Sequence, residues 1–255
     1  MKRVIIILSV WLPVVLTCHS LHAQQYVGAK IGYGGGTVRL FPEPEIAYVW
    51  QYKNCGVSWK YYSAERVVGA VQVDLEWMER GYEIRNQVVG GDSTSYFRRL
   101  NTVNIPFSWQ PHIYFFKRHL RVFLNAGINL SYNFGSTEKR LSSKGEVLFD
   151  RKWEMKATRD NRLGYGLSGG VGFGLLYGQL EYFLEGRYYF SYSDILKNRN
   201  IYKDNFYVRS QLDNVNFSIG VFYRFGKGRI LAPTQAEVNA VKGKTGKTQF
   251  QKMNQ

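Results

Sequence analysis

The sequence predicts an all-β fold, an eight-stranded antiparallel transmembrane β-barrel of the outer-membrane type wound as an up-and-down meander. Three observations predict it. The chain starts with an export leader, its segments alternate apolar and polar residues with period two, and its connections alternate between short and long.

Lys2 and Arg3 form the charged start of the leader, and Val4 to Leu16 supply an apolar stretch broken only by Ser9 and Pro13. Leu21-His22-Ala23 then presents a small residue for cleavage, so residues 1–23 read as a signal peptide and the mature chain begins at Gln24. The rival reading, a lipoprotein signal ending at Cys18, meets Thr17 where a small Gly, Ala or Ser is expected. Loss of Cys18 with the leader leaves Cys55 alone, so no disulfide forms within the mature chain. No later apolar run approaches the ~20 residues of a membrane helix. Aromatic residues make up 16% of the chain, with 26 Gly against 6 Pro, which favours strands. A mean hydropathy of -0.30 resembles that of a water-soluble protein. In a membrane barrel, however, only the lipid-facing half of each strand has to be apolar.

The strands follow in order. Val27, Ala29, Ile31 and Tyr33 share one face, with Lys30 among glycines on the other. Cys55, Val57, Trp59 and Tyr61 oppose Asn54, Ser58 and Lys60; Val71, Val73, Leu75 and Trp77 oppose Gln72, Asp74 and Glu76. Val103, Ile105, Phe107 and Trp109 oppose Thr102, Asn104, Ser108 and Gln110. From Leu120 to Phe134 every even position is apolar, while Arg121, Asn125, Asn129 and Asn133 stand among the odd ones. In the sixth strand Leu163, Tyr165, Leu167, Val171, Phe173 and Leu175 alternate with Ser168 and a row of glycines. Leu180 to Phe190 sets Tyr182, Leu184 and Tyr188 against Glu181, Glu185 and Arg187; Val215 to Phe225 sets Phe217, Ile219 and Tyr223 against Asn216, Ser218 and Arg224.

A water-soluble sandwich also alternates in this way. Charges of both signs in mid-strand, the glycine row, and aromatics near strand ends (Trp77, Trp109, Tyr132, Tyr177, Tyr192) favour a barrel with a narrow polar lumen and interfacial girdles. The connections near Ser63 to Arg66, Pro111 to His119 and Tyr177 to Gln179 are short and expected in the periplasm. Those from Thr37 to Lys53, Arg85 to Phe97, Gly135 to Arg162 and Ser193 to Asp213 are longer and expected outside. The barrel is thus expected over 24–226, followed at 227–255 by a flexible basic periplasmic tail whose only acid is Glu237.

Several segments carry a resemblance. Val73-Asp74-Leu75-Glu76-Trp77 running to Gly81, Asn104-Ile105-Pro106-Phe107, Gly170-Val171-Gly172-Phe173, Leu184-Glu185-Gly186-Arg187-Tyr188 and Gly220-Val221-Phe222-Tyr223-Arg224-Phe225 fall in one strand order. The chain resembles the PorT-like outer-membrane β-barrel family of the Bacteroidetes over roughly Val27 to Phe225. The tail after Phe225 departs from that pattern. The resemblance implies an eight-stranded outer-membrane barrel and, for the founding member, a part in type IX protein secretion.

Candidate chemistry is sparse. Asp74, Glu76, Arg121, Glu181, Glu185, Arg187 and Arg224 are expected to face the lumen as a charge-paired plug. Paired carboxylates can serve acid/base catalysis, but no nucleophile stands at a recognisable spacing. The mature chain's two histidines, His112 and His119, share an expected periplasmic turn, remote from outer-leaflet lipid. No cofactor or metal site is expected. Gly246-Lys247-Thr248 lacks the earlier glycine of a phosphate loop, because position 241 is Val241. The net charge is +15, lowered by two when Lys2 and Arg3 depart. Nucleic acid is not an expected partner of a membrane barrel. Lys139, Arg140, Lys144, Arg151 and Lys152 match lipopolysaccharide phosphates, although Glu138, Glu146 and Asp150 among them also fit a solvated loop of mixed charge.

The reading is a non-enzymatic outer-membrane barrel, a structural or assembly component linked through the resemblance to type IX secretion. Its expected partners are outer-membrane lipid and lipopolysaccharide, with periplasmic or secretion-machinery proteins. The alternative is a surface-interaction protein that binds lipopolysaccharide or host molecules through long loops; a lipid-modifying barrel enzyme ranks below both. A pore is disfavoured because side chains fill an eight-stranded lumen. The topology predicts that an impermeant thiol label reaches a cysteine placed at Ser142 in intact cells but not one placed at Thr245. The opposite labelling would overturn the strand count.

Overall fold

A computed structural model describes residues 24–42, 44–62, 69–89, 92–116, 119–197 and 209–225. The leader, the turn at Ser63 to Arg66, the tail and Gly246-Lys247-Thr248 lie outside the described residues. Among the described residues the chain is built from β1 (Gln24–Phe41), β2 (Ile46–Ala47), β3 (Val49–Tyr62), β4 (Ala70–Val89), β5 (Asp92–Gln110), β6 (His112–Phe115), β7 (Leu120–Ser142), β8 (Val147–Trp153), β9 (Leu163–Tyr177), β10 (Leu180–Ser191) and β11 (Arg209–Phe225).

Eight long strands pair antiparallel in a ring. The order β4-β3-β1-β11-β10-β9-β7-β5 is closed by the β4–β5 pairing. The first and last strands meet in register from Gln25↔Phe225 to Phe41↔Arg209. β2, β6 and β8 are short additions on β4, β7 and β7.

Burial runs opposite to that of a soluble sheet. Ile31, Val57, Leu124, Ile128 and Phe173 are each at least half exposed on the outside, whereas Lys60, Gln72, Asp74, Asn104 and Arg121 are buried inside. That inversion rules out the sandwich. Apolar side chains can point outward in such numbers only if their solvent is lipid.

The strands are longer than the alternation alone marks. β4 and β5 run through most of the expected Arg85 to Phe97 connection, and β7 and β8 form a hairpin within the expected Gly135 to Arg162 loop. The expected turn at Pro111 to His119 contains β6 folded onto the start of β7. Polarity explains the difference. In β4 the outward residues are apolar up to Trp77; beyond it Met78, Tyr82 and Ile84 are apolar and buried inward. β1 and β5 switch in the same way, with Val38, Leu40 and Leu100 buried inward and Arg39 and Arg99 outward. The strand continues, but its greasy face changes sides as it leaves lipid for water.

The lumen is packed. Val38, Leu40, Tyr82, Ile84, Leu100, Ile195 and Leu212 cap it at the end carrying the long connections. Tyr26, Tyr62, Ala70, Phe123, Phe183 and Phe222 cap it at the end carrying the termini. The glycine row of β9 makes this packing fit: a Cβ on Gly172 would stand 2.3 Å from the Phe123 ring. Gly178, in the turn between β9 and β10, has φ +61°, a left-handed conformation that glycine adopts without the strain a side chain would bring.

Candidate functional site

Between the two apolar caps lies a buried network of charge. Alternation sends Lys30 of β1, Asp74 and Glu76 of β4, and Glu185 and Arg187 of β10 inward to one level. The Lys30 ammonium lies 3.0 Å from Asp74, 2.5 Å from Glu76 and 2.9 Å from Glu185. Arg187 reaches Asp74 at 2.7 Å and Glu185 at 3.0 Å. Neutral donors fill the remaining lone pairs: Tyr189 donates to Glu76 at 2.7 Å, Gln72 to Asp74 at 2.8 Å and Asn125 to Glu185 at 3.1 Å.

A second cluster lies nearer the terminal end. Lys60 reaches Glu181 at 3.2 Å, and Arg121 pairs with the same carboxylate. Both cations rest on aromatic faces, Lys60 3.7 Å from the centre of the Phe222 ring and the Arg121 guanidinium 4.8 Å from that of Phe123. Such contacts partly replace the missing second carboxylate. Across the two clusters, four cations (Lys30, Lys60, Arg121, Arg187) meet four carboxylates (Asp74, Glu76, Glu181, Glu185).

The sequence-predicted plug residues therefore assemble, with one exception. Arg224 stands on the lumen side opposite Tyr26 but is only partly buried, and its Nε and Nη1 have no hydrogen-bond partner among the described residues. Lys30, Lys60 and Tyr189 complete the network and were not among the predicted plug residues. The signal for the two lysines was present, since each alternates with outward apolar residues. Arg80 is also buried, bonded to the Ser191 hydroxyl at 2.9 Å and the Leu212 carbonyl at 2.7 Å.

Beyond the lipid-facing belt, Asp160 ties the long connections together. It accepts from Arg98 and Arg159 at 3.0 Å each and from the Lys156 amide at 3.0 Å, while both guanidiniums pack on the Trp153 ring. Burial pushes its carboxyl upward, but Arg98 and Arg159 outweigh burial and hold it below the ordinary carboxylate value.

The five candidate lipopolysaccharide contacts do not form one patch. Arg140 turns inward to Gln87 at 3.3 Å, and Arg151 pairs with Glu138 at 2.5 Å. Lys144 is exposed in the β7–β8 turn, and Lys139 and Lys152 lie on the opposite face of that hairpin. His112 and His119 lie at the terminal end, where each ring bonds a nearby backbone carbonyl.

A closed ring with a lipid-facing exterior and a charge-paired lumen is the arrangement of an outer-membrane barrel. The outer membrane protein beta-barrel domain family matches residues 23–197. The chain belongs to that family. Its location is accordingly the outer membrane. Comparison with curated proteins gave no match. Among solved structures the chain is similar to Neisserial surface protein A (10% identity, 79% of this chain and 97% of that one, TM-score 0.39). It is also similar to a major outer membrane protein from Thermus thermophilus (12%, 80% and 99%, 0.45) and to the outer membrane enzyme PagL (11%, 76% and 97%, 0.31).

The charges set the expected cost of removing them. Lys30→Met leaves three carboxylates facing a buried apolar group and should cost about 3–5 kcal/mol. Arg85→Ala, which removes a half-exposed guanidinium from its pair with Glu83, should cost less than about 1 kcal/mol. Urea unfolding from lipid vesicles, followed by tryptophan fluorescence, measures both; equal costs would contradict the network. For Asp160, a depressed carboxyl contributes stability that is present above its unfolded value and lost as pH falls through the lower folded one. Protection from hydrogen exchange over residues 154–162, taken relative to the intrinsic rate at each pH, should therefore be lost only below the ordinary aspartate range. Asp160→Asn should show low protection at every pH.

Proposed function

We propose that this barrel is a closed, non-enzymatic outer-membrane protein whose working surface is the strand extension at the long-connection end, held outside the cell. The observation that carries the reading is the filled lumen. Among the described residues, four cations ion-paired with four carboxylates share the interior with two apolar clusters, and a lumen filled in this way argues against a channel or an interior substrate site. β4, β5, β7 and β8 meanwhile extend a paired sheet past the lipid-facing belt. The asymmetry of short and long connections supports the outside placement.

The finer reading, a part in type IX secretion, rests on the resemblance in Val73 to Trp77, Asn104 to Phe107 and the other segments named above. Deleting the gene and comparing surface proteomes tests it: loss of many surface proteins favours secretion, and an unchanged surface favours direct interaction. The closed-barrel reading predicts no stable channel steps when the purified protein is inserted into planar bilayers. Reproducible ohmic steps would overturn it.

A further inference from the structure

The polarity switch marks where the strands leave lipid, and a cleft opens on the outer face just above it. On β7 the last belt residues are Tyr132 and Phe134, 41% and 47% exposed. Past Gly135 the outward positions become Thr137, Lys139 and Leu141, in register with Arg99 and Phe97 of β5 (Arg99↔Thr137, Phe97↔Lys139). These residues, with Tyr52 of β3 and Asp150 of β8, line a half-open cleft of about 410 Å³. Small-ligand sites typically span roughly 300–1,000 Å³.

Its height is informative. Thr137 is three residues beyond Phe134, and a rise of ~3.4 Å per residue along a strand tilted by about 45° lifts it roughly 7 Å above the belt. The headgroup layer on each side of a bilayer is about 5–8 Å deep. Arg99, beside Thr137, thus stands at headgroup level, and the long stem of Lys139 can bend back to it.

The cations there are available. Lys139 makes no ion pair among the described residues, and Arg99 reaches Glu79 only at 3.5 Å with 47% of its side chain exposed. A guanidinium fork and an ammonium in one cleft suit a phosphate group. Phe97, which is partly exposed, supplies apolar surface for a sugar ring, and the buried Tyr52 backs the cleft. Because the cleft faces away from the barrel axis, its occupant comes from the surrounding leaflet.

We propose that this cleft binds the phosphorylated sugar headgroup of an outer-leaflet glycolipid, with Arg99 and Lys139 holding the phosphate. The inference rests on the outside placement of the extension proposed above. Glu79 and Asp150 offset the local charge, so recognition depends on directed hydrogen bonds rather than on a broad positive field.

Native mass spectrometry of the full chain in detergent micelles tests this. The probes are bis-phosphorylated lipid A, the same lipid with both phosphates removed, and soluble glucosamine 1-phosphate. The expected result is retention of bis-phosphorylated lipid A by the wild type, with at least tenfold weaker binding by R99Q/K139Q. The dephosphorylated lipid should bind the wild type as weakly as the phosphorylated one binds the variant. Lys144→Gln should leave binding unchanged, and heat-modifiable gel migration checks that each variant keeps its barrel. Equal binding by wild type and R99Q/K139Q, or no discrimination between the two lipids, overturns the proposal. Tight binding of glucosamine 1-phosphate without lipid A binding overturns the lipid source. The Ser142 labelling and the bilayer recordings report on placement and closure independently, so a failed lipid assay does not stand in for either.

Discussion

A strand that crosses lipid cannot leave its amide and carbonyl groups unpaired, and the rest of this structure follows from that constraint. The seam between β1 and β11, in register from Gln25↔Phe225 to Phe41↔Arg209, removes the edges an open sheet would expose. Closing the ring with eight strands leaves an interior wide enough for side chains alone. Residues facing inward must then fit one another. The β9 glycines concede space to Phe123 and Glu181, and Phe183 packs on Phe222 with ring centroids 4.7 Å apart.

The same constraint decides what the charges do. A lysine or glutamate sealed inside cannot reach bulk water, so each must find a partner or lose several kcal/mol. Lys30 sits among three carboxylates and Arg187 reaches the same three, while Lys60 and Arg121 share Glu181 and lean on aromatic rings. The partners come from β1, β3, β4, β7 and β10, so the network ties strands that are distant around the ring.

How much of this was legible in the sequence depended on where each strand ran. Inside lipid the alternation is unbroken, and Val71 to Trp77, Leu120 to Phe134 and Leu163 to Leu175 were each placed on the correct face. Six of the seven predicted plug residues assemble for the same reason. The extension was not legible, because a period-two pattern with a fixed apolar face stops matching at Trp77 although β4 runs on to Val89. Tyr82 and Ile84 continue the alternation in reversed phase. The division of Lys139, Arg140, Arg151 and Lys152 between two faces was equally hidden, since it depends on the β7–β8 register and its irregularity near Arg140.

An apolar lumen of the same volume would have been simpler to stabilise, which leaves the polar interior to be explained. If both faces of every strand were apolar, a slip of one residue between β1 and β11 would exchange one greasy face for another at little cost. With Lys30 inside, the same slip turns a cation toward lipid, at about 2–4 kcal/mol near the bilayer midplane. Glu185 on β10 and Asp74 on β4 would meet related penalties if their strands slipped, and would lose their ion pairs as well. The buried charges thus distinguish one register from its neighbours even where they add little net stability. The largest network accordingly occupies the lipid-spanning level, where an outward charge is costly; at the long-connection end, where water makes an outward charge harmless, the apolar cluster of Val38, Leu40, Tyr82 and Leu212 lies beside the smaller Arg98–Asp160 pair.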